Sequence, residues 1–86
     1  MRSQGGESAG VIISGVLFET VPGRANSVAA RLAQIENLEI TGTDGNHRLV
    51  AIWRGKDGST LEQQAEKLLQ SESEILGIYP TFVGKE

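Results

Sequence analysis

The sequence predicts an α+β domain in which a four-stranded antiparallel sheet carries two helices on one face. The chain twice reads as strand, helix, strand within 86 residues, with two turn-rich breaks between apolar segments. Two such units form the ferredoxin-like βαββαβ arrangement with strand order 4-1-3-2. The predicted elements are Val11–Val21, Pro22–Glu36, Leu38–Thr43, Arg48–Arg54, Ser59–Ser73 and Ile75–Val83.

The first strand and first helix are predicted from composition and spacing. Val11 to Phe18 is almost wholly apolar and rich in β-branched residues, which favours a strand. Pro22 suits the first turn of a helix, where its missing N–H costs nothing. The helix that follows carries one apolar stripe, which we expect to pack on the sheet: Val28, Ala29, Leu32 and Ile35.

The second and third strands are predicted to form a hairpin. Leu38 and Ile40 alternate with polar residues, as in a half-buried strand. The segment Asp44-Gly45-Asn46 is typical of a tight turn between antiparallel strands. A continuous apolar run, Leu49 to Trp53, follows as the third strand.

The last helix and strand complete the domain. The apolar positions of the helix are Leu61, Ala65, Leu68 and Leu69. Pro80 cannot donate to a central ladder, so the fourth strand is predicted at a sheet edge. We expect residues 1–10, which are polar and glycine-rich, to form a flexible tail before one domain over residues 11–86.

Composition excludes several classes of function. A net charge of −3 argues against nucleic-acid binding, which needs a basic surface. No run of about 18 apolar residues is present to span a membrane. The N-terminal segment has no apolar signal-peptide region, so we expect a cytoplasmic protein. The absence of cysteine excludes disulfides and thiol chemistry.

The two faces of the sheet follow from strand alternation. Because Leu38 and Ile40 are expected beneath the helices, Glu39 is expected on the opposite, open face. On the other strands we expect these residues to face the helices: Ile12, Val16, Phe18, Val50, Ile52, Leu76, Ile78 and Phe82. We expect these to face outward: Ile13, Gly15, Leu17, Glu19, Leu49, Ala51, Trp53, Gly77, Tyr79 and Thr81.

This assignment predicts an apolar trough with an acidic rim on the open face. Small residues cross its middle, larger apolar ones flank them, and two glutamates add negative charge. Such a surface suits a helix or extended peptide with apolar and basic side chains. A homodimer contact, or an ordinary half-buried sheet face, explains the same pattern. The predicted peptide-binding residues are Ile13, Gly15, Leu17, Glu19, Glu39, Ala51, Trp53, Gly77 and Tyr79.

No constellation of catalytic or metal-binding residues is evident. The segment Ser14 to Glu19 is similar to the phosphate loop of acylphosphatases, but that family holds phosphate with an arginine where Glu19 stands here. His47 is the only histidine and lacks further ligands near it in sequence. We therefore expect no enzyme activity, no metal and no cofactor.

Several segments together resemble the NapD family, over roughly Val11 to Val83. They are Gly15 to Arg24, Ala30-Arg31-Leu32, Leu38-Glu39-Ile40, Gly45, Leu49 to Ile52 and Ile75 to Ile78. The resemblance implies a ferredoxin-like cytoplasmic chaperone for assembly of a periplasmic nitrate reductase. Such a chaperone binds the twin-arginine signal peptide of the catalytic subunit and delays export until the molybdenum cofactor is loaded. Family members often end strand four with an aliphatic-tyrosine-histidine run, whereas this chain has Tyr79-Pro80-Thr81.

Two other functions remain open from the residues alone. The chain is also consistent with a regulatory domain that dimerises through sheet edges and binds a metabolite between subunits. The other hypothesis is a purely structural homodimer that is packed through the open sheet face. We expect a monomer or a weak homodimer under the chaperone reading.

Overall fold

A computed structural model describes residues 12–56 and 58–85. The predicted tail, residues 1–10, lies outside this described part. Six elements follow one another within these ranges, and no helix described there is long and apolar enough to cross a membrane. They are β1 (Ile12–Thr20), α1 (Ala25–Leu32), β2 (Leu38–Thr43), β3 (Arg48–Gly55), α2 (Gly58–Ser71) and β4 (Ile75–Lys85).

The four strands form one antiparallel sheet in the order β2-β3-β1-β4. This is the predicted 4-1-3-2 order read from the other edge, so the ferredoxin-like fold is confirmed. Strand β4 is an edge strand, as Pro80 required. Both helices contribute to one hydrophobic core on the same sheet face.

The most completely buried side chains of the helices lie on α1. Val28 and Leu32 of α1 are fully buried, together with Phe18 of β1 and Leu49 of β3. Helix α2 adds Leu61 and Leu68, which keep slightly more exposure. The apolar stripe of each helix therefore packs on the sheet as predicted, with one exception. Leu69, which we expected to be buried with Leu61 and Leu68, is 39% exposed.

Helix α1 is shorter than the predicted Pro22–Glu36. Gly23 has a φ of +84°, a conformation outside the helical region, so the helix starts only at Ala25. At the other end, Gln34 and Ile35 donate their N–H groups to carbonyls three residues earlier. These shorter-range bonds tighten the chain into turns after Leu32.

The β2–β3 turn stabilises itself and also holds the start of α1. The Asp44 carboxylate accepts backbone N–H bonds from Asn46, His47 and Arg48 at 2.8–3.0 Å. Those bonds, that of Asn46 first, hold the pKa of Asp44 below its ordinary value. The Asn46 carbonyl in turn accepts the N–H groups of Gly23 and Ala25, each at 3.0 Å.

Ion pairs tie α1 to the segment between α2 and β4. Glu74 lies 2.8 Å from the Arg24 guanidinium and 2.9 Å from that of Arg31. Arg31 also contacts Glu72 at 2.9 Å. The hydrogen bond from Arg31 is the main reason that the pKa of Glu74 lies below its ordinary value. These four charged side chains therefore form one network.

The facing predicted for β3 is wrong. Leu49, Ala51 and Trp53 lie beneath the helices, with Ala51 2% and Trp53 3% exposed, whereas Val50 is 41% exposed. Ile52 shares the face of Val50 because alternate residues of a strand point the same way. The register explains the correction, since Ala51 pairs with buried Val16 on one side and with Ile40 on the other.

The facing predicted for β4 is only partly right. Ile78 packs against the core and Tyr79 faces away from the helices, as predicted. Phe82, predicted inward, instead pairs with Gly15 and is 52% exposed. Leu76, also predicted inward, is exposed. Irregularities in the β1–β4 ladder leave Leu76 and Thr81 without a partner in register, and each extra residue reverses the facing of the residues after it.

Candidate functional site: the open sheet face

The sheet face opposite the helices, here called the open face, carries apolar side chains from three strands. Leu17 of β1 lies between Val50 of β3 and Tyr79 of β4, and all three pair directly in the ladder. Cross-strand neighbours of this kind lie about 5 Å apart and form a continuous surface. The apolar members of the open face are Ile13, Leu17, Val50, Ile52, Tyr79 and Phe82.

Two aromatic rings fill the positions where a trough was predicted. A Cβ built at Gly15 would overlap the ring of Phe82, so that ring lies over the glycine. A Cβ built at Gly77 would likewise overlap the ring of Tyr79. Both glycines are buried although they face away from the helices. The glycines therefore seat aromatic side chains, and the open face is an apolar, aromatic surface without the predicted trough.

The charges of the open face are more balanced than the sequence suggested. Glu39 of β2 lies 3.5 Å from the guanidinium of Arg54 on β3. Glu19 of β1 pairs in register with Arg48 of β3. Because two arginines accompany the two glutamates, the rim carries both signs of charge.

The structure brings together seven of the nine predicted site residues. Those on the open face are Ile13, Gly15, Leu17, Glu19, Glu39, Gly77 and Tyr79. Ala51 and Trp53 do not belong to it, because both side chains are buried on the covered face. The Trp53 ring packs on Phe18, with ring centroids 6.1 Å apart. Trp53 is a core residue, and a role as an exposed anchor is excluded by its burial.

Sequence reasoning missed five members of the open face. They are Arg48, Val50, Ile52, Arg54 and Phe82. The polar pattern held a signal for the first four, because Arg48 and Arg54 flank the apolar run of β3 at even positions. Charged residues at both ends of a strand favour the solvent-facing side, which places Val50 and Ile52 there as well.

The open face exposes two aromatic side chains next to its apolar residues. Tyr79 and Phe82 are each about half exposed, at 49% and 52%. Aromatic side chains of this kind supply contact area at low entropic cost. Among residues 12–56 and 58–85, no three His, Asp or Glu side chains come together as metal ligands.

Comparison with known proteins gives one result. The family model described as NapD protein matches residues 11–82, nearly the whole chain. Comparison with curated proteins and with solved structures gives no match.

Proposed function

We propose that this chain, which belongs to the NapD family of nitrate reductase assembly chaperones, binds the twin-arginine signal peptide of a periplasmic nitrate reductase on its open face. Binding in the cytoplasm would delay export of the catalytic subunit until its molybdenum cofactor is loaded. The chain acts by binding, without catalysis and as a monomer or weak homodimer. The observation that carries the proposal is the uncovered apolar face of the sheet.

The apolar part of a signal peptide fits this surface physically. Soluble proteins rarely leave a contiguous apolar patch without a partner. Here Val50, Tyr79 and Phe82 are each more than 40% exposed. Covering such side chains removes apolar surface from water at about 25 cal/mol per Å². We infer that this burial supplies most of the affinity.

The open face offers two carboxylates, those of Glu19 and Glu39, to the arginine pair of the peptide. The Glu39 side chain is 63% exposed and its partner Arg54 is 3.5 Å away, so an incoming guanidinium can share or take over this contact. Guanidinium groups match carboxylates in a two-bond geometry, which adds selectivity for arginine. Since Arg48 and Arg54 offset the glutamates, the electrostatic contribution should be small.

The test is calorimetric titration with a synthetic leader peptide of a periplasmic nitrate reductase. Tyr79→Ala removes an exposed aromatic contact and should weaken binding about tenfold or more, as expected for an anchor. Val50→Lys should weaken it similarly by placing a charge beneath the apolar helix. Glu39→Gln should cost two- to fivefold, mainly at low salt, because exposed charge pairs contribute little.

The matched control is Leu69→Ala, an exposed leucine on α2 away from the open face. It should bind the leader like the parent chain. Parent-like binding by both Tyr79→Ala and Val50→Lys would place the leader elsewhere. If no leader binds and the chain is dimeric by light scattering, the face is a homodimer contact instead.

A further inference from the structure

A second surface, independent of the open face, lies on the helix-covered side of the sheet. Helix α2 leaves a groove of about 870 Å³ between itself and strands β1 and β4. Apolar side chains form its sheet side, among them Val16, Ile78 and Val83. Val83 is 68% exposed, the largest value among the described large apolar residues. We call this surface the α2 groove.

The charged residues that the structure describes around the α2 groove are both acidic. Glu62 and Glu66 of α2 line it, and none of the described residues that line it is a lysine, arginine or histidine. This differs from the open face, where each glutamate lies beside an arginine strand neighbour or ion-pair partner. An occupant with positive charge next to its apolar surface would complement the groove.

The strand at the edge of the groove is poorly suited to pair with another strand. Pro80 of β4 has no N–H to donate, and the ladder is irregular at Leu76 and Thr81. A partner peptide therefore cannot extend the sheet regularly along β4. It must bind through its side chains, as an amphipathic helix does when its apolar face enters a groove.

The wall of the groove also contains an unpaired donor. The Trp53 indole lines the α2 groove, and its buried Nε1–H has no acceptor among the described residues. Buried polar groups are nearly always paired in folded proteins. The indole ring at the wall of the groove therefore offers an occupant a donor that the described part of the fold leaves without an acceptor.

From these observations we propose that the α2 groove binds an amphipathic helix of a partner protein, one that carries lysine or arginine beside its apolar face. The apolar face covers Val83 and its neighbours, and the basic residues lie against Glu62 and Glu66. This surface is separate from the one proposed for the signal peptide, so the chain can hold two partner segments at once.

The experiment uses the single tryptophan of the chain as a reporter. The probe is a 14-residue synthetic helix of leucine and lysine with one apolar stripe, titrated into the full chain while Trp53 emission is recorded. We expect saturable binding with a shift of Trp53 emission. The same helix with glutamate in place of lysine should bind at least tenfold more weakly. Equal binding by the two helices would overturn the charge argument and the proposal.

Matched variants decide where the probe binds. Val83→Lys should weaken binding tenfold or more, whereas Leu69→Lys, which places the same charge at an exposed position of α2 outside the groove, should bind the probe like the parent chain. Glu66→Lys should weaken binding about three- to tenfold at low salt, since it reverses a charge on the groove. Glu36→Lys makes the same charge change outside the groove and should have little effect.

Three results would overturn the proposal. One is probe binding without any change in Trp53 emission, and another is equal sensitivity to Glu66→Lys and Glu36→Lys. The last is a dimer of the chain alone that Val83→Lys dissociates, because a second copy would then occupy the groove. Circular dichroism verifies the fold of each variant. If Val83→Lys does not fold, Glu66→Lys, which changes an exposed position of α2, still tests whether the probe binds in the groove. Failure of leader binding leaves all these readouts unchanged, so the two proposals fail separately.

Discussion

The two helices cover the same sheet, but they are held on it very differently. In α1, Ala25, Val28 and Leu32 are fully buried. Backbone bonds to Asn46 hold the start of this helix, and ion pairs of Arg31 hold its last turn. In α2, Leu61 and Leu68 keep 8–9% exposure, Leu69 is exposed, and a groove opens beside the helix. One half of the covered face is closed and the other half is accessible.

Polar contacts account for much of this difference. The start of α1 is held by the Asn46 carbonyl in the β2–β3 turn, and its exposed side is held by the Arg31 ion pairs with Glu72 and Glu74. These contacts fix α1 to two distant segments of the chain. The comparison teaches that two βαβ units of one sheet can differ in how firmly their helices are held, because α1 has polar links to distant segments in addition to its apolar contacts.

The largest expected effect is on the α1 side of the core. Leu32→Ala removes a fully buried side chain and should lower the free energy of unfolding by about 3–5 kcal/mol. Leu68→Ala, on the more open α2 side, should cost about 2–3 kcal/mol, because the groove lets neighbouring side chains and water relax around the cavity. Urea unfolding of both variants measures the difference. A larger loss for Leu68→Ala than for Leu32→Ala would remove the contrast between the two helices.

A smaller effect is expected where the turn holds α1. Asn46→Ala deletes the side-chain oxygen that accepts the Gly23 N–H at 2.7 Å, while the backbone bonds remain possible. Loss of one such hydrogen bond should destabilise the chain by about 1 kcal/mol. Asn26→Ala, at an exposed position within α1, is the control and should be neutral or slightly stabilising, since alanine is the better helix former. Equal stability of the Asn46 variant and the parent in urea would show that this contact does not hold the helix.

The smallest expected effect is a change in acid sensitivity. The pKa of Glu74 is lower in the folded chain than its ordinary value, first because of the hydrogen bond from Arg31. A carboxyl of this kind stabilises the fold above its unfolded pKa of about 4.3, and that stabilisation is lost as the pH falls through the lower folded pKa. Glu74→Gln should therefore lose less stability than the parent on going from about pH 6 to pH 3.

Thermal unfolding across that pH range measures this effect. The control is Glu36→Gln, which removes a carboxylate outside the network and should keep a parent-like slope. High salt should reduce the difference between Glu74→Gln and the parent, because the arginine partners are partly exposed. A Glu74→Gln variant with the parent slope at low salt would mean that the network does not stabilise the fold.

The sequence by itself determined the order of elements and the identity of the edge strand. Alternation at Leu38 and Ile40 set the inward side of β2, and Pro80 placed β4 at an edge. These features depend on local chemistry: side-chain period, turn residues and the missing N–H of proline. The family resemblance also came from the sequence, and the match over residues 11–82 confirmed it.

Only the tertiary structure decided which way β3 faces. Its apolar run, Leu49 to Trp53, has no internal alternation, so its facing depends on its register against β2. If the β2–β3 ladder continued from the Thr43–Leu49 pair without interruption, Ile40 would lie opposite Ile52. Both side chains would then face the helices, as the sequence predicted. The observed ladder skips Thr41 and pairs Ile40 with Ala51 instead.

That one extra residue in β2 moves Ala51 and Trp53 from the expected binding surface into the core. An extra residue at Thr41 reverses the facing expected for β3, and one at Thr81 reverses the facing expected for Phe82 in β4. Because side chains alternate between the two faces of a strand, a shift of one residue moves every following side chain to the opposite face. Bulges arise from how strands fit and twist against each other, which is a property of the paired sheet. The sequence could therefore predict that an open face exists, but which side chains form it was settled by strand pairing.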